Sequence, residues 1–303
     1  MNPPPDTDTL RAANRRGVLA MAAGMAAFVT NDMLVKVVSE SLPAAQLIFL
    51  RGVFATALLL AVAQALGMLR HARLLLHPRV VARSLFDAFA TFTYLTSLFH
   101  IPLGTATAIN MATPLFITLF AVLAFGERVG PARWLAIATG FAGVLLIVQP
   151  SGAAFNGYAL LCVAGTLLHA TRDLITRTLD RSIPSLLVTL GTAIAVTVLA
   201  GFWSLAQGWQ APTPRHLLLL AAASVFLSMG YYLLTVAMRG GEMSVIAPFR
   251  YSGLLFALVL GYLVWGDVPN PLAWGGIALL VAAGLYVLHS ERRARAALEA
   301  AAD

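Results

Sequence analysis

The sequence predicts an all-α integral membrane protein of ten transmembrane helices, arranged as two inverted five-helix repeats with N- and C-termini in the cytoplasm. The composition, the ten apolar segments and an internal repeat predict this class. The 303 residues are 59% hydrophobic and 11% charged, whereas a soluble domain carries about 25% charged residues. A chain of this composition has too few charged side chains to cover a water-facing surface, so the lipid bilayer is a predicted partner.

The spans are predicted from runs of about 20 mostly apolar residues, the length that crosses a bilayer as a helix. These runs are continuous and too long for the alternating ten-residue strands of a membrane β-barrel. The ten predicted spans are 16–36, 44–66, 79–100, 104–124, 131–149, 157–177, 184–206, 215–239, 243–265 and 270–290.

The two ends of the chain are predicted to lie outside these spans. Residues 1–15 begin with the Pro- and Asp-rich stretch MNPPPDTDT and are predicted to form a disordered tail. No cleavable signal peptide is expected, because the first apolar run continues into Asn31 and Asp32. Residues 291–303 are predicted to form a cytoplasmic C-terminal tail.

The charges set the predicted orientation. One set of loops and both tails carry nearly all of the 19 arginines, whereas the opposite loops hold only Arg215. Because cytoplasmic loops are enriched in Arg and Lys, ten spans with both termini inside fit every loop. The net charge of +7 does not indicate nucleic-acid binding, since the arginines are scattered between apolar runs rather than gathered on one face.

An internal repeat relates the two halves of the chain. FGERVGPARW at 125–134 and WGDVPNPLAW at 265–274 align with an offset of 140 residues. In each copy a Gly is expected to end one helix and a Pro to begin the next. The predicted repeats are 16–149 and 157–290, joined by a periplasmic linker at 150–156. Because each repeat has five spans, the second enters the membrane from the opposite side, which suits alternating access.

The repeat segments also carry a family resemblance. The clearest segments are PAAQLIFLRGVFATALLL at 43–60, TPLFITLFAVLAFGERVGPARWLAIATGFAGVLLIV at 113–148 and FRYSGLLFALVLGYLVWGDVPNPLAWGGIALLVAAGLYVL at 249–288. In these segments the chain resembles the drug/metabolite transporter superfamily with two EamA-type repeats. The resemblance implies a small-molecule transporter of the inner membrane without a cofactor, similar to amino-acid exporters that include the YddG-type exporters of aromatic amino acids.

Charged residues inside the spans are the first candidates for function, because a charge in the bilayer centre costs about 2.5–3.5 kcal/mol on insertion scales. Asp32 and Lys36 are four residues apart, as are Asp173 and Arg177, so each acid is predicted to meet its base on one helix face. The two pairs are either structural ion pairs or gates at opposite ends of the pathway. Arg51 lies at a depth similar to that of Asp32, and a structural contact between the two is expected.

A second set of polar residues is predicted to line a central cavity. Asp87 and Arg250 lie at comparable depth and could either neutralise each other or bind the ammonium and carboxylate of a zwitterionic substrate. The interior stripes on the helices could line the cavity or join helices through hydrogen bonds. The predicted cavity residues are Asp87, Thr91, Tyr94, Asn110, His169, Tyr231, Arg250 and Tyr251.

The predicted function is export of small metabolites, above all amino acids including aromatic and hydrophobic ones, by alternating access through a central cavity between the two repeats. The alternatives are uptake of S-adenosylmethionine or another metabolite, and multidrug efflux. An intramembrane enzyme is disfavoured, because the sequence has no HExxH, GxSxG or GxxxxGK motif and its single cysteine, Cys162, has no base nearby in sequence. No metal site is expected. Small residues in spans five and ten (Ala136, Gly140, Gly143, Ala278 and Ala282) either join two copies or pack the ends of one monomer.

Overall fold

The computed structural model describes residues 7–125, 130–150, 156–180, 182–240 and 243–300. All regular structure in this part of the chain is helical. The α-helices are α1 (Thr7–Ser39), α2 (Ala44–Ala65), α3 (Pro78–Leu98), α4 (Leu103–Asn110), α5 (Thr113–Phe125), α6 (Pro131–Val148), α7 (Gly157–Arg177), α8 (Ser185–Gln207), α9 (Pro214–Gly240), α10 (Met243–Ile246), α11 (Ser252–Trp265) and α12 (Pro271–Ala300). Two 3₁₀ helices cover Met68–Leu76 and Ala247–Tyr251.

Helical residues occupy all ten segments predicted from the sequence. Eight helical stretches of the described residues are long and apolar enough to cross a membrane, and α6 adds the shorter apolar stretch Trp134–Val148. The eight do not include α3, which carries Arg79, Arg83 and Asp87. The all-helical membrane class is therefore confirmed, while the count of ten crossings stays a prediction.

Helix ends follow the turn chemistry of the sequence at several points. Gly266 ends α11 in the left-handed region at φ 70°, and Pro271 begins α12 after it, as the repeated phrase predicts. In the first copy of the phrase, residues 126–129 lie outside the described part. The predicted N-terminal tail differs from the structure, because α1 already begins at Thr7.

Two of the predicted spans are interrupted at equivalent places. The fourth is divided into α4 and α5 by a break at Met111–Ala112, next to Pro114. The ninth consists of α10, the 3₁₀ helix Ala247–Tyr251 and α11. Offset by 140 residues, Asn110 at the end of α4 corresponds to Arg250 inside that 3₁₀ helix.

The helices pack mainly across the two halves of the chain. The extensive contacts pair α1 with α9, α3 with α7, α2 with α8 and α6 with α12. Glycines make two of these approaches at equivalent positions, 141 residues apart. A Cβ at Gly24 would lie 3.4 Å from the backbone of Gly230 in α9, and one at Gly165 would lie 3.1 Å from the backbone of Tyr94 in α3.

Small residues of spans five and ten meet where α6 crosses α12. A Cβ on Gly276 would lie 2.6 Å from the carbonyl oxygen of Gly143, so the two backbones are in direct contact. Small residues here pack the two ends of one chain. Ala278 and Ala282 take no part in this contact, because both are exposed, and their role in joining two copies stays a prediction.

The loops gather at two ends with different charge. The described loop residues at the arginine-poor end are 40–43, 99–102, 149–150, 156, 208–213 and 266–270. Hydrogen bonds join these loops, such as that from Gln149 Nε2 to Asn270 Oδ1 at 2.9 Å and that from Asn156 Nδ2 to the His100 carbonyl at 2.9 Å. The arginine-rich end includes residues 66–77, 178–180 and 182–184, and there Arg79 Nη1 donates to the Thr178 carbonyl at 2.8 Å. The alternation of charged and uncharged loops thus corresponds to the two ends of the bundle.

Candidate functional site

The polar residues of the interior form a series between the two halves, from the arginine-poor end to the arginine-rich end. Three groups follow one another along this series: the cluster around Asp32, the Asn110–His169 contact and the cluster around Arg172. Each group combines side chains from different helices. The packing of α1, α3, α4 and α7 positions them, since these helices are neighbours in the bundle.

The first group surrounds Asp32 on α1. Tyr94 of α3 donates its hydroxyl to Asp32 Oδ2 at 2.9 Å, and the Asn31 amide donates to Oδ1 at 2.8 Å. Arg51 of α2, only 6% exposed, donates from Nη1 to Asn31 Oδ1 at 3.4 Å. The expected direct Asp32–Arg51 contact is therefore replaced by a contact through the Asn31 amide.

Lys36 does not pair with Asp32, and the prediction of that ion pair is wrong. Its ammonium group donates instead to the carbonyl oxygens of Leu98 at 2.7 Å and Ile101 at 2.6 Å. These carbonyls follow the C-terminal end of α3, where cations are favoured by the helix dipole. The ammonium also lies 5.4 Å from the ring centre of Trp265, whose indole N–H donates to Glu40 at 2.8 Å. Lys36 thereby joins α1, α3 and α11 at the arginine-poor end.

The second group joins the middle of the two halves. His169 Nδ1 on α7 lies 3.1 Å from Asn110 Oδ1, at the point where α4 ends. The His169 ring also faces Tyr94, with 5.9 Å between the ring centres. The helix break therefore places a polar amide against the histidine, and Tyr94 connects this group to Asp32.

The third group is an ion-pair cluster around Arg172 on α7. Arg172 Nη1 lies 2.7 Å from Asp87 Oδ1, and its Nη2 lies 2.8 Å from Asp173 Oδ1. Arg83 adds a second contact to Asp87 at 3.3 Å. Asp87 therefore pairs with Arg172 and Arg83, so the alternative in which Asp87 and Arg250 neutralise each other is wrong.

Arg172 was missed by the sequence reasoning although a signal for it was present. It directly precedes Asp173, and with the 141-residue offset it corresponds to Asn31, which precedes Asp32. When the two repeats are aligned, the charged Arg172 thus corresponds to the neutral Asn31, and this is a difference between the halves. The i,i+4 rule does not identify Arg172, because its partner Asp87 lies on another helix.

The remaining predicted site residues are placed as follows. Tyr231 of α9 is 38% exposed and packs edge-to-face on Phe28 with ring centres 5.0 Å apart. Thr91 is half-buried and Arg250 is exposed. The Tyr251 hydroxyl is buried without a hydrogen-bond partner and contacts Gly284. The side chain of Arg177 lies outside the described residues.

The two ends of the bundle differ in the bonds between equivalent helices. At the arginine-poor end, hydrogen bonds from Lys36 to the Leu98 carbonyl and from Tyr94 to Asp32 join α1 and α3. Among the described residues, no hydrogen bond or ion pair joins their counterparts in the second half, α7 and α9, although Arg172 of α7 is close enough to Tyr231 of α9 to interact electrostatically. A shallow groove of about 350 Å³ lies on the surface between α5 and α7 beside Leu123 and Leu174, and a space of about 60 Å³ lies beside Gly104 and Asp267 at the arginine-poor end.

Metal chemistry finds no support in the described residues, because they contain no cluster of three or more His, Cys, Asp or Glu side chains that could hold an ion. Cys162 is buried, and its thiol lies 3.7 Å from the Ala106 carbonyl.

Comparison with known proteins gives one family match that covers almost the whole chain. The profile described as the EamA-like transporter family matches twice, over residues 15–149 and 156–289. A riboflavin transporter of Rhizobium johnstonii is 33% identical over 215 residues, which are 71% of each chain. The pseudopaline exporter CntI of Pseudomonas aeruginosa is 28% identical, covering 92% of this chain and 98% of its own.

Two further comparisons agree with this match. An S-adenosylmethionine uptake transporter of Rickettsia bellii is 26% identical over 87% of this chain and 90% of its own. A solved crystal structure of 21% sequence identity aligns over 90% of this chain and 98% of its own with a TM-score of 0.62. At this identity the structural match supports the fold alone.

Proposed function

The chain belongs to the EamA-like transporter family of the drug/metabolite transporter superfamily, and we propose that it moves a small polar metabolite by alternating access between two inverted repeats. It is a multi-pass protein of the bacterial inner membrane. The proposed repeats are residues 16–149 and 157–290, with five spans each, and the proposed pathway lies between them. The proposal is supported by helix pairing across the halves and by the equivalent breaks in the fourth and ninth spans, since interrupted helices at corresponding positions are typical of transporter binding sites.

One observation carries the mechanism. Hydrogen bonds join α1 and α3 at the arginine-poor end, while no hydrogen bond or ion pair joins α7 and α9 in the described part of the chain. Related halves in unlike arrangements are what alternating access requires, because exchanging the two arrangements closes one end and opens the other. Since arginine-rich loops face the cytoplasm, the conformation described here is closed towards the periplasm.

We propose export of amino acids, including aromatic and hydrophobic ones. The interior supports a substrate with both polar and apolar parts, because charged groups at Asp32 and Arg51 lie near the Phe28–Tyr231 aromatic pair. The named relatives include one exporter and one uptake transporter, so uptake of S-adenosylmethionine or another metabolite is the alternative. The family relationship is compatible with both directions.

The test is counterflow into proteoliposomes preloaded with unlabelled substrate. Radiolabelled amino acids, S-adenosylmethionine and riboflavin are each compared with empty liposomes, with and without a pH gradient. Exchange of at least one amino acid is expected, and an effect of the gradient would indicate proton coupling. Exchange of S-adenosylmethionine alone would favour the alternative, and exchange of no compound would refute the proposed transport function.

A further inference from the structure

The charges of Asp32, which is partly buried, and of Arg51, which is buried, differ from the other charges inside the bundle in their partners. Asp87 and Asp173 share Arg172 as an ion-pair partner. Asp32, in contrast, has no Lys or Arg side chain within 4.0 Å among the described residues, and Arg51 has no carboxylate within that distance there. These two opposite charges are close enough to interact electrostatically but do not touch.

An amide keeps the two charges apart. Asn31 accepts from Arg51 Nη1 with one end of its amide and donates to Asp32 Oδ1 with the other. The backbone of Arg51 is also held in place, because its carbonyl oxygen accepts a hydrogen bond from the Ser224 hydroxyl of α9 at 3.0 Å. The Nε of Arg51 is buried and has no hydrogen-bond partner. The guanidinium group of Arg51, a residue held between α1, α2 and α9, therefore has one N–H donor without a hydrogen-bond partner.

Keeping the charges of Asp32 and Arg51 apart inside the bundle costs free energy unless a further charged group pairs with each of them. Buried charges in proteins are normally paired, because desolvation of an isolated charge is not offset by bonds to neutral groups. Inside a membrane, charged side chains mark substrate and ion pathways. Two opposite charges that make no ion-pair contact in the described part of the chain, one amide group apart, are complementary to a ligand that carries both charges close together.

We propose that Asp32 and Arg51 form a receptor for the zwitterionic head group of an α-amino acid, with the ammonium group on Asp32 and the carboxylate on Arg51. The inference rests on the proposed transport function and specifies the chemistry of its substrate. Tyr94 orients the Asp32 carboxylate, and Asn31 sets the distance between the charges. The substrate side chain lies towards Tyr231, which is close enough to Arg51 to interact with its charge.

The first test measures binding rather than transport. The twenty amino acids and S-adenosylmethionine are titrated into the purified full-length protein by calorimetry. The tightest ligand is then compared with its methyl ester, which lacks the carboxylate, and its N-acetyl form, which lacks the ammonium. Each analogue is expected to bind about 30-fold more weakly or worse, since removal of one member of a buried charge pair costs about 2 kcal/mol or more.

The second test combines ligand and protein changes. In Asp32→Asn the free amino acid and its N-acetyl form are expected to bind equally weakly, and in Arg51→Gln the free acid and its ester are expected to do so. A purely structural role would weaken all ligands in parallel, which is why the coupled comparison is informative. Asp180→Asn and Arg215→Gln, exposed residues of the same types, are the controls. If the glutamine variant does not fold, Arg51→Lys, which keeps the positive charge, should still bind the free acid more tightly than the ester.

The outcomes separate this inference from the transport proposal. Failure of every compound to bind, or equal binding of the free acid, ester and N-acetyl forms to the unaltered protein, would overturn the receptor assignment. Counterflow of riboflavin in the same preparation would then leave transport intact. Binding with the expected dependence on both charges, but without counterflow, would support the receptor and refute the transport proposal.

Discussion

Lys36 is predicted to hold the arginine-poor end closed, and Lys36→Met is expected to open it. The lysine donates two hydrogen bonds from a charged group to backbone carbonyls beyond the end of α3, and methionine keeps the length of the side chain but makes neither. Hydrogen bonds to charged groups contribute about 1.5 kcal/mol or more each. Loss of both should shift the balance between closed and open conformations by about 3 kcal/mol, which is roughly 100-fold.

The chain carries its own reporter for this shift. Cys162 is the single cysteine, is fully buried and lies near Asp32, on the inner side of the Lys36 contact. A small charged thiosulfonate reagent, added in oriented vesicles to the arginine-poor side, should modify it much faster in Lys36→Met. Arg215→Met removes an exposed cation at the same end and is the matched control, and Cys162→Ala defines the background. An unchanged rate in a folded Lys36→Met protein would refute the latch.

Two further predictions concern contacts between the halves. Gly276→Ala should lower the free energy of unfolding by about 1–3 kcal/mol, because the new Cβ would meet the Gly143 carbonyl. The control Gly275→Ala, whose Cβ would have nothing within 4 Å, should unfold thermally like the unaltered protein. Equal melting temperatures of the two variants would contradict the close crossing. Arg172→Met should cost about 3 kcal/mol, because Asp87, with its side chain 4% exposed, keeps only the longer contact to Arg83. Adding Asp87→Asn should recover part of that stability in a thermal melt, and a further loss would speak against the ion pair.

The sequence could predict the positions of the helices because local chemistry decides them. Apolar runs, Pro271 at a helix start and Gly266 at a helix end each act through a few neighbouring residues. The helix break after Asn110 was harder to foresee, since α4 and α5 together read as one apolar run of suitable length. Pro114 was the available signal, because proline has no N–H to continue the hydrogen-bond ladder.

The partners of the buried charges could not be predicted in the same way. The i,i+4 rule identifies which residues share a face of one helix, but long side chains reach neighbouring helices. Lys36 extends to carbonyls at the end of α3 rather than to Asp32, because those carbonyls have no partners within their own helix. Asp87 meets Arg172 because α3 packs on α7, and that pairing is a property of the tertiary fold.

The site owes its character to a difference between the repeats rather than to their likeness. Asp32 and Asp173 occupy equivalent positions, and so do the residues before them, Asn31 and Arg172. Arg172 gives Asp173 a cation and also binds Asp87, so the second half holds a neutralised cluster that fixes α7 against α3. Asn31 gives Asp32 only an amide, which leaves that carboxylate and Arg51 without ion-pair partners in the described part of the chain. The repeat therefore accounts for the scaffold, and the exchange of one asparagine for one arginine accounts for where a charged substrate can replace a missing partner.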